Sequence, residues 1–110
     1  MAHLTPWLVT VTVLAANTNY LLSTLLAALT PSIAEVNYSQ VGIQFDSDAG
    51  GDALLIGNPD TLSATVFGRR LLATQAADFG PFESNLVRTD HIALRSDGAE
   101  HAVHIYLLRR

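Results

Sequence analysis

The sequence predicts a mainly β protein: a small antiparallel β-sandwich or barrel, jelly-roll-like, with one N-terminal amphipathic helix. Three observations predict it. From Val41 to Arg110 the chain is a series of short apolar runs, each stopped by Gly, Asn, Asp or Pro, at the spacing of a small antiparallel sandwich or barrel. Ahead of these runs, Trp7 to Leu14 alternates apolar and polar residues with the period of a half-buried strand. Between the two, leucines at 21, 22, 25, 26 and 29 recur at helical spacing. A chain of 110 residues has room for one domain with one core. We divide it into a strand plus helix over 1–40 and a β-sandwich or barrel over 41–110.

In the first strand Trp7, Val9, Val11 and Val13 share one face and Thr10 and Thr12 the other, so the first set is expected to be buried in the core or against a neighbouring subunit. Asn17 or Thr18 is a suitable N-cap for a helix over about Asn19 to Leu29, which Thr30 and Pro31 end. Its leucine stripe is read as core packing. The stretch Pro31 to Gln40 has no strong period and carries the chain across to the β region. There the apolar runs predict strands near Val41 to Phe45, Ala53 to Ile56, Ser63 to Phe67, Arg70 to Thr74, Val87 to Arg95 and Ala102 to Leu108.

Asp97-Gly98 is a favoured two-residue hairpin turn. It would set Ser96 opposite Ala99, Arg95 opposite Glu100 and His91 opposite His104. Two facing imidazoles are candidates for a metal site or for a contact that breaks on protonation near pH 6. A metal wants a third protein ligand, however, and Asp90 and His101 project from the opposite face in this register. Ordinary surface or interface histidines explain the pair as well. His3 has no visible partner.

The acidic run from Asp46 invites comparison with a calcium loop. Asp46, Asp48 and Gly51 fit that pattern, but its fifth and twelfth positions are Gly50 and Gly57, where the ligands should be strongest. A hairpin loop using glycine for positive φ and aspartate for local backbone bonds accounts for the same residues.

Composition directs attention to surfaces. Hydrophobic residues make up 49% of the chain and charged ones 15%, against roughly 25% charged in a typical soluble domain. Too few polar groups exist to cover the outside, and large exposed apolar patches normally meet a partner. All basic residues are arginine, at 69, 70, 88, 95, 109 and 110. Arginine is enriched at interfaces because its guanidinium is weakly hydrated and planar; the codon usage of a GC-rich genome explains the bias equally well. A net charge of −4 without a basic cluster argues against nucleic-acid binding. The absence of cysteine rules out disulfides and thiolate zinc sites. No secretory signal is expected, since no Lys or Arg precedes Trp7. Apolar stretches break before the roughly 18 residues a spanning helix needs, so no membrane partner is expected either.

No phosphate loop, dinucleotide fingerprint, metalloprotease helix or nucleophile elbow occurs in the sequence. We expect no enzymatic activity and no cofactor. The residues expected at an interface or in a pH-sensitive contact are Trp7, Arg69, Arg70, His91, His104, Arg109 and Arg110. The last two end the final strand abruptly, where acidic groups of a partner would suit them.

The runs Val41 to Asp48, Ala53 to Asp60 and Ser63 to Thr65, then Phe79-Gly80-Pro81-Phe82, Asn85 and the segment Ile92 to Leu108, follow an order that resembles small virion structural proteins of tailed bacteriophages. The likeness spans about two thirds of the chain. It implies a decoration or cement protein on the capsid surface of a virion, made in the host cytoplasm, whose partners are the major capsid protein and copies of itself in a homo-oligomer such as a trimer. Alternatives are a tail, neck or head-fibre component, or a small-ligand-binding β-barrel, which would need a lined cavity with convergent polar groups.

Overall fold

The computed structural model describes residues 5–110, with the side chains of residues 5 and 6 left out of the description; His3 lies outside the described residues. Ten strands and one helix follow in the order β1 (Thr5–Val13), β2 (Tyr20–Leu21), α1 (Leu22–Ala27), β3 (Asn37–Tyr38), β4 (Gln40–Phe45), β5 (Leu54–Gly57), β6 (Arg69–Leu71), β7 (Ala76–Phe79), β8 (Val87–Arg88), β9 (Ala93–Ser96) and β10 (His101–Arg109). The single strand expected over Val87 to Arg95 is broken: a 3-10 turn, Thr89–His91, separates β8 from β9, which join different sheets.

Two four-stranded antiparallel sheets form the sandwich. The first runs β1-β10-β4-β7 and the second β2-β9-β5-β6, while β3 and β8 pair separately. Setting that small pair aside, the chain crosses between sheets at nearly every step, and only β5 and β6 are consecutive strands of one sheet. This order is that of an eight-stranded jelly roll. The mainly β, jelly-roll-like class expected from the sequence is therefore the class observed. The N-terminal segment is woven into both layers, β1 against β10 and β2 against β9.

The core lies between the sheets. Val11 and Val13 meet Ile43, Phe45, Leu54, Ile56, Leu71, Leu94, Val103, Ile105 and Leu107 there. Val11 and Val13 are buried and Trp7 and Val9 half-buried, as the period-two pattern requires. Trp7 sets its ring edge-on to that of Tyr38 at 6.1 Å. Tyr38 donates its hydroxyl to the Glu35 carbonyl at 2.8 Å. Burial, with the Glu35 carboxylate adding to it, pushes that phenol up to about 12.

The helix is shorter than its leucine period predicts. Tyr20 and Leu21 are drawn into the second sheet opposite Leu94 and Ala93, and the Leu22 amide donates to the Ile92 carbonyl at 2.9 Å. A sheet partner thus outcompetes the first helical turn. Asn17 takes a positive φ of 55° in the preceding turn, and the N-cap is Leu21, which makes no side-chain cap. Leu22 and Leu26 are fully buried, and Leu25 and Leu29 pack on the same core.

Three further expectations are corrected. Ser63 to Phe67 is no strand: the Ser63 hydroxyl accepts from the amides of Thr65 and Val66 at 3.3 and 3.1 Å, closing a local turn. Asp97-Gly98 is no hairpin, because β9 and β10 belong to different sheets. Asp97 instead binds the neighbouring connection through Oδ1, which accepts from the Ala53 amide at 2.7 Å. The acidic run from Asp46 is likewise an arch between β4 and β5. Gly50 there has φ +63° and Asp46 Oδ1 accepts from the Asp48 amide at 3.0 Å.

Candidate functional site

The register places three connections at one end of the sandwich: the β1–β2 turn, the β4–β5 arch and the β9–β10 arch. The Asn17 amide reaches the Ser96 carbonyl at 2.7 Å and the Glu100 amide reaches the Leu14 carbonyl at 3.1 Å. His101, the first residue of β10, joins them. Its Nε2 lies 2.7 Å from Asp52 Oδ2 and its Nδ1 3.5 Å from Asp46 Oδ2, with the side chain 12% exposed and edge-on to the Phe45 ring. From sequence His101 was set aside as lying on the far face of a supposed hairpin, and its partners lie 55 and 49 positions upstream on an arch expected to be a hairpin loop.

The hydrogen bond to Asp52, partly offset by burial and aided by Asp46, raises His101 above its usual 6.5. Asp46 is held below its usual 3.8 by the Asp48 amide first, against some desolvation, then by the Ala102 amide and His101. The signs give a window. The imidazolium's contribution to stability is whole below 6.5 and fades as pH rises through the raised value; the Asp46 contribution is whole above 3.8 and fades as pH falls. Thermal melts from about pH 5 to about pH 9 should therefore show stability falling on the alkaline side. His101→Gln should flatten that fall, and an unchanged profile would exclude the His101–Asp52 contact as its source.

The opposite end carries exposed apolar side chains. Val66 and Phe67, in the β5–β6 connection, are 52% and 41% exposed, and Phe82 and Leu86, in the β7–β8 connection, are 45% and 68% exposed. Phe82 and Leu86 border an open groove of 570 Å³ floored by Phe79, Val87 and Ile92 and flanked by Arg88 and His91. Three contacts hold this rim. The Phe82 amide donates to the Ser39 carbonyl at 2.9 Å, the Arg110 Nε donates to the Phe82 carbonyl at 2.8 Å, and Asn85 exchanges two hydrogen bonds with the Arg110 backbone. The apolar groups are held out by ordered backbone.

The residues singled out from sequence are dispersed. His91 lies on the 3-10 turn at the groove, 71% exposed and 4.0 Å from Asp90. Asp90 is gripped by both Nε and Nη2 of Arg88, at 2.9 and 2.7 Å. His104 lies on the outer face of the first sheet, its Nδ1 3.0 Å from Thr10 Oγ1, so the two histidines do not face each other. Arg109 pairs with Glu35 at 3.3 Å and Arg110 is held by the Phe82 rim. Arg69 and Arg70 stand exposed on β6, the edge of the second sheet, with no ion pair among the described residues. Charges on an edge strand oppose stray strand pairing. Trp7 is half-buried at the start of β1.

Among the described residues no cluster of three or more His, Cys, Asp or Glu side chains has the arrangement of a metal site, and no helix is long and apolar enough to cross a membrane. No protein-family model, curated protein or solved structure matches the chain.

Proposed function

We propose that the chain is a virion structural protein of a tailed bacteriophage, a capsid decoration or cement protein that docks on the outside of the head and bridges major capsid proteins. It does so as a homo-oligomer such as a trimer. The observation that carries this reading is the apolar groove at the end of the jelly roll, where Phe82 and Leu86 are held outward by backbone and arginine contacts. Leaving such side chains in water forgoes about 25 cal/mol for each Å² of apolar surface. A capsid lattice that covers them recovers that energy, and rupture of the shell must then break these contacts as well as its own. The charge-poor composition and the order of motifs along the chain support the same reading.

The test uses purified protein and capsids assembled from the major capsid protein of the same genome. Wild type should bind saturably at lattice stoichiometry and raise the temperature at which capsids rupture. Phe82→Ser with Leu86→Ser should weaken binding by about tenfold or more, as loss of central apolar anchors does, while leaving the melting temperature of the free protein nearly unchanged. A monodisperse monomer without capsid affinity overturns the proposal.

A further inference from the structure

We infer that the outer face of the first sheet is a binding site for a neutral saccharide, formed by Tyr106, Asp78, Gln44, His104 and Thr10. This inference is independent of the virion role.

The strand register builds the site. Leu8, Tyr106, Gly42 and Asp78 lie in one row across β1, β10, β4 and β7, and Thr10, His104, Gln44 and Ala76 lie in the next row on the same face. Side chains of both rows point away from the core, because Val9, Ile43, Ile105 and Ala77, between them, point inward. Together they line a groove of 480 Å³, within the roughly 300–1,000 Å³ of small-ligand sites. Buried Gly42 lets Asp78 and Tyr106 draw together at one end of the groove. A Cβ there would stand 2.7 Å from Asp78 Oδ1 and 3.3 Å from Tyr106 Cβ, so the carboxylate and the tyrosine close in over the space that a larger residue would fill.

The chemistry of the lining selects the ligand class. A pyranose ring has an apolar face of C–H groups and a rim of hydroxyls that both donate and accept. Half-buried Tyr106 and exposed Leu8 supply apolar surface for the first. Polar atoms without protein partners meet the second. Asp78 and the Tyr106 hydroxyl make no hydrogen bond among the described residues. Gln44 donates Nε2 to the Thr74 carbonyl at 3.1 Å and keeps Oε1 free, and Thr10 engages Nδ1 of His104 and leaves Nε2. No arginine lines the groove, and its one carboxylate repels anions, which excludes phosphate, nucleic acid and acidic sugars. An apolar peptide would strand the polar second row.

The test is an amide NMR titration of the full chain with cellohexaose, maltohexaose and chitotetraose, and with a galacturonate hexamer as the acidic control. At least one neutral oligosaccharide should shift the amides of Leu8, Thr10, Gln44, Ala76, His104 and Tyr106 in a saturable way, with the acidic control silent. Tyr106→Ala should weaken that binding by about tenfold or more. Asp78→Asn, which preserves shape, should weaken it through loss of a charged acceptor. If none of the three neutral sugars shifts these amides at about 10 mM, if the acidic control binds as well, or if both well-folded variants bind like wild type, the inference is overturned.

Discussion

Val11→Asp should abolish cooperative folding. Val11 is 2% exposed in the second half of β1, opposite Val103 on β10 and inside the cluster that joins both sheets. Among the described residues no basic side chain is buried that could pair with a carboxylate there. An uncompensated buried charge costs about 3–5 kcal/mol or drives the group to bind a proton. A domain of this size has only about 5–15 kcal/mol in total. Urea denaturation should show the transition lost or moved to far lower denaturant. Thr12→Asp is the matching control one step along the strand. Its side chain is exposed opposite Ala102, and it should stay within about 0.5 kcal/mol of wild type. If both variants unfold alike, the inward face of β1 has been misassigned.

Gly80→Ala should be the second most damaging single change. Gly80 follows β7 with φ +95°, a conformation that side chains rarely adopt. An added Cβ would collide with the Ser39 carbonyl and stand 3.2 Å from both Gln40 Cα and the Phe82 amide nitrogen. None of these can retreat easily. Ser39 is fully buried between β3 and β4, and its carbonyl accepts from that same Phe82 amide. Backbone strain alone costs about 1–3 kcal/mol, and the collision adds to it. For a domain of about 100 residues each kcal/mol lowers the melting temperature by roughly 4–8 °C. The Phe82 rim should loosen together with the fold, so the capsid binding proposed for it should fall in step. Gly51→Ala provides the contrast, since nothing stands within 4 Å of its Cβ position; it should be neutral or stabilising by a few tenths to about 1 kcal/mol. Equal melting temperatures for Gly80→Ala and wild type would contradict the close approach of Gly80 to the Ser39 carbonyl.

The candidate surfaces were legible to different degrees. Phe79-Gly80-Pro81-Phe82 was visible as a motif, but the sequence could not say that Phe82 points to solvent while Val87 and Ile92 are buried below it. His104 was identified, yet with the wrong neighbour. Its row is made with Thr10 and Gln44 from strands that lie 94 and 60 positions away. The alternation within β10 does put Tyr106 on the face of His104, and that signal was available without a structure. Asp78 was not readable, because Ala76-Ala77-Asp78-Phe79 has neither β-branched residues nor a clear period.

Local physics was enough for β1, where Trp7, Val9, Val11 and Val13 alternate with threonines, and for the apolar strands β4, β5 and β10. It was also enough for the overall β character and for the leucines that bury one side of α1. The tertiary structure alone decided which sheet each strand joins. Asp97-Gly98 has the chemistry of a tight hairpin and became an arch, because β9 finds β5 and β2 while β10 finds β1 and β4. It likewise took Tyr20 and Leu21 from the helix and set Asp46, Asp52 and His101 together. A turn motif encodes a local bend, whereas strand partnership is settled by the burial of two apolar faces against each other, a property of residues distant in the chain.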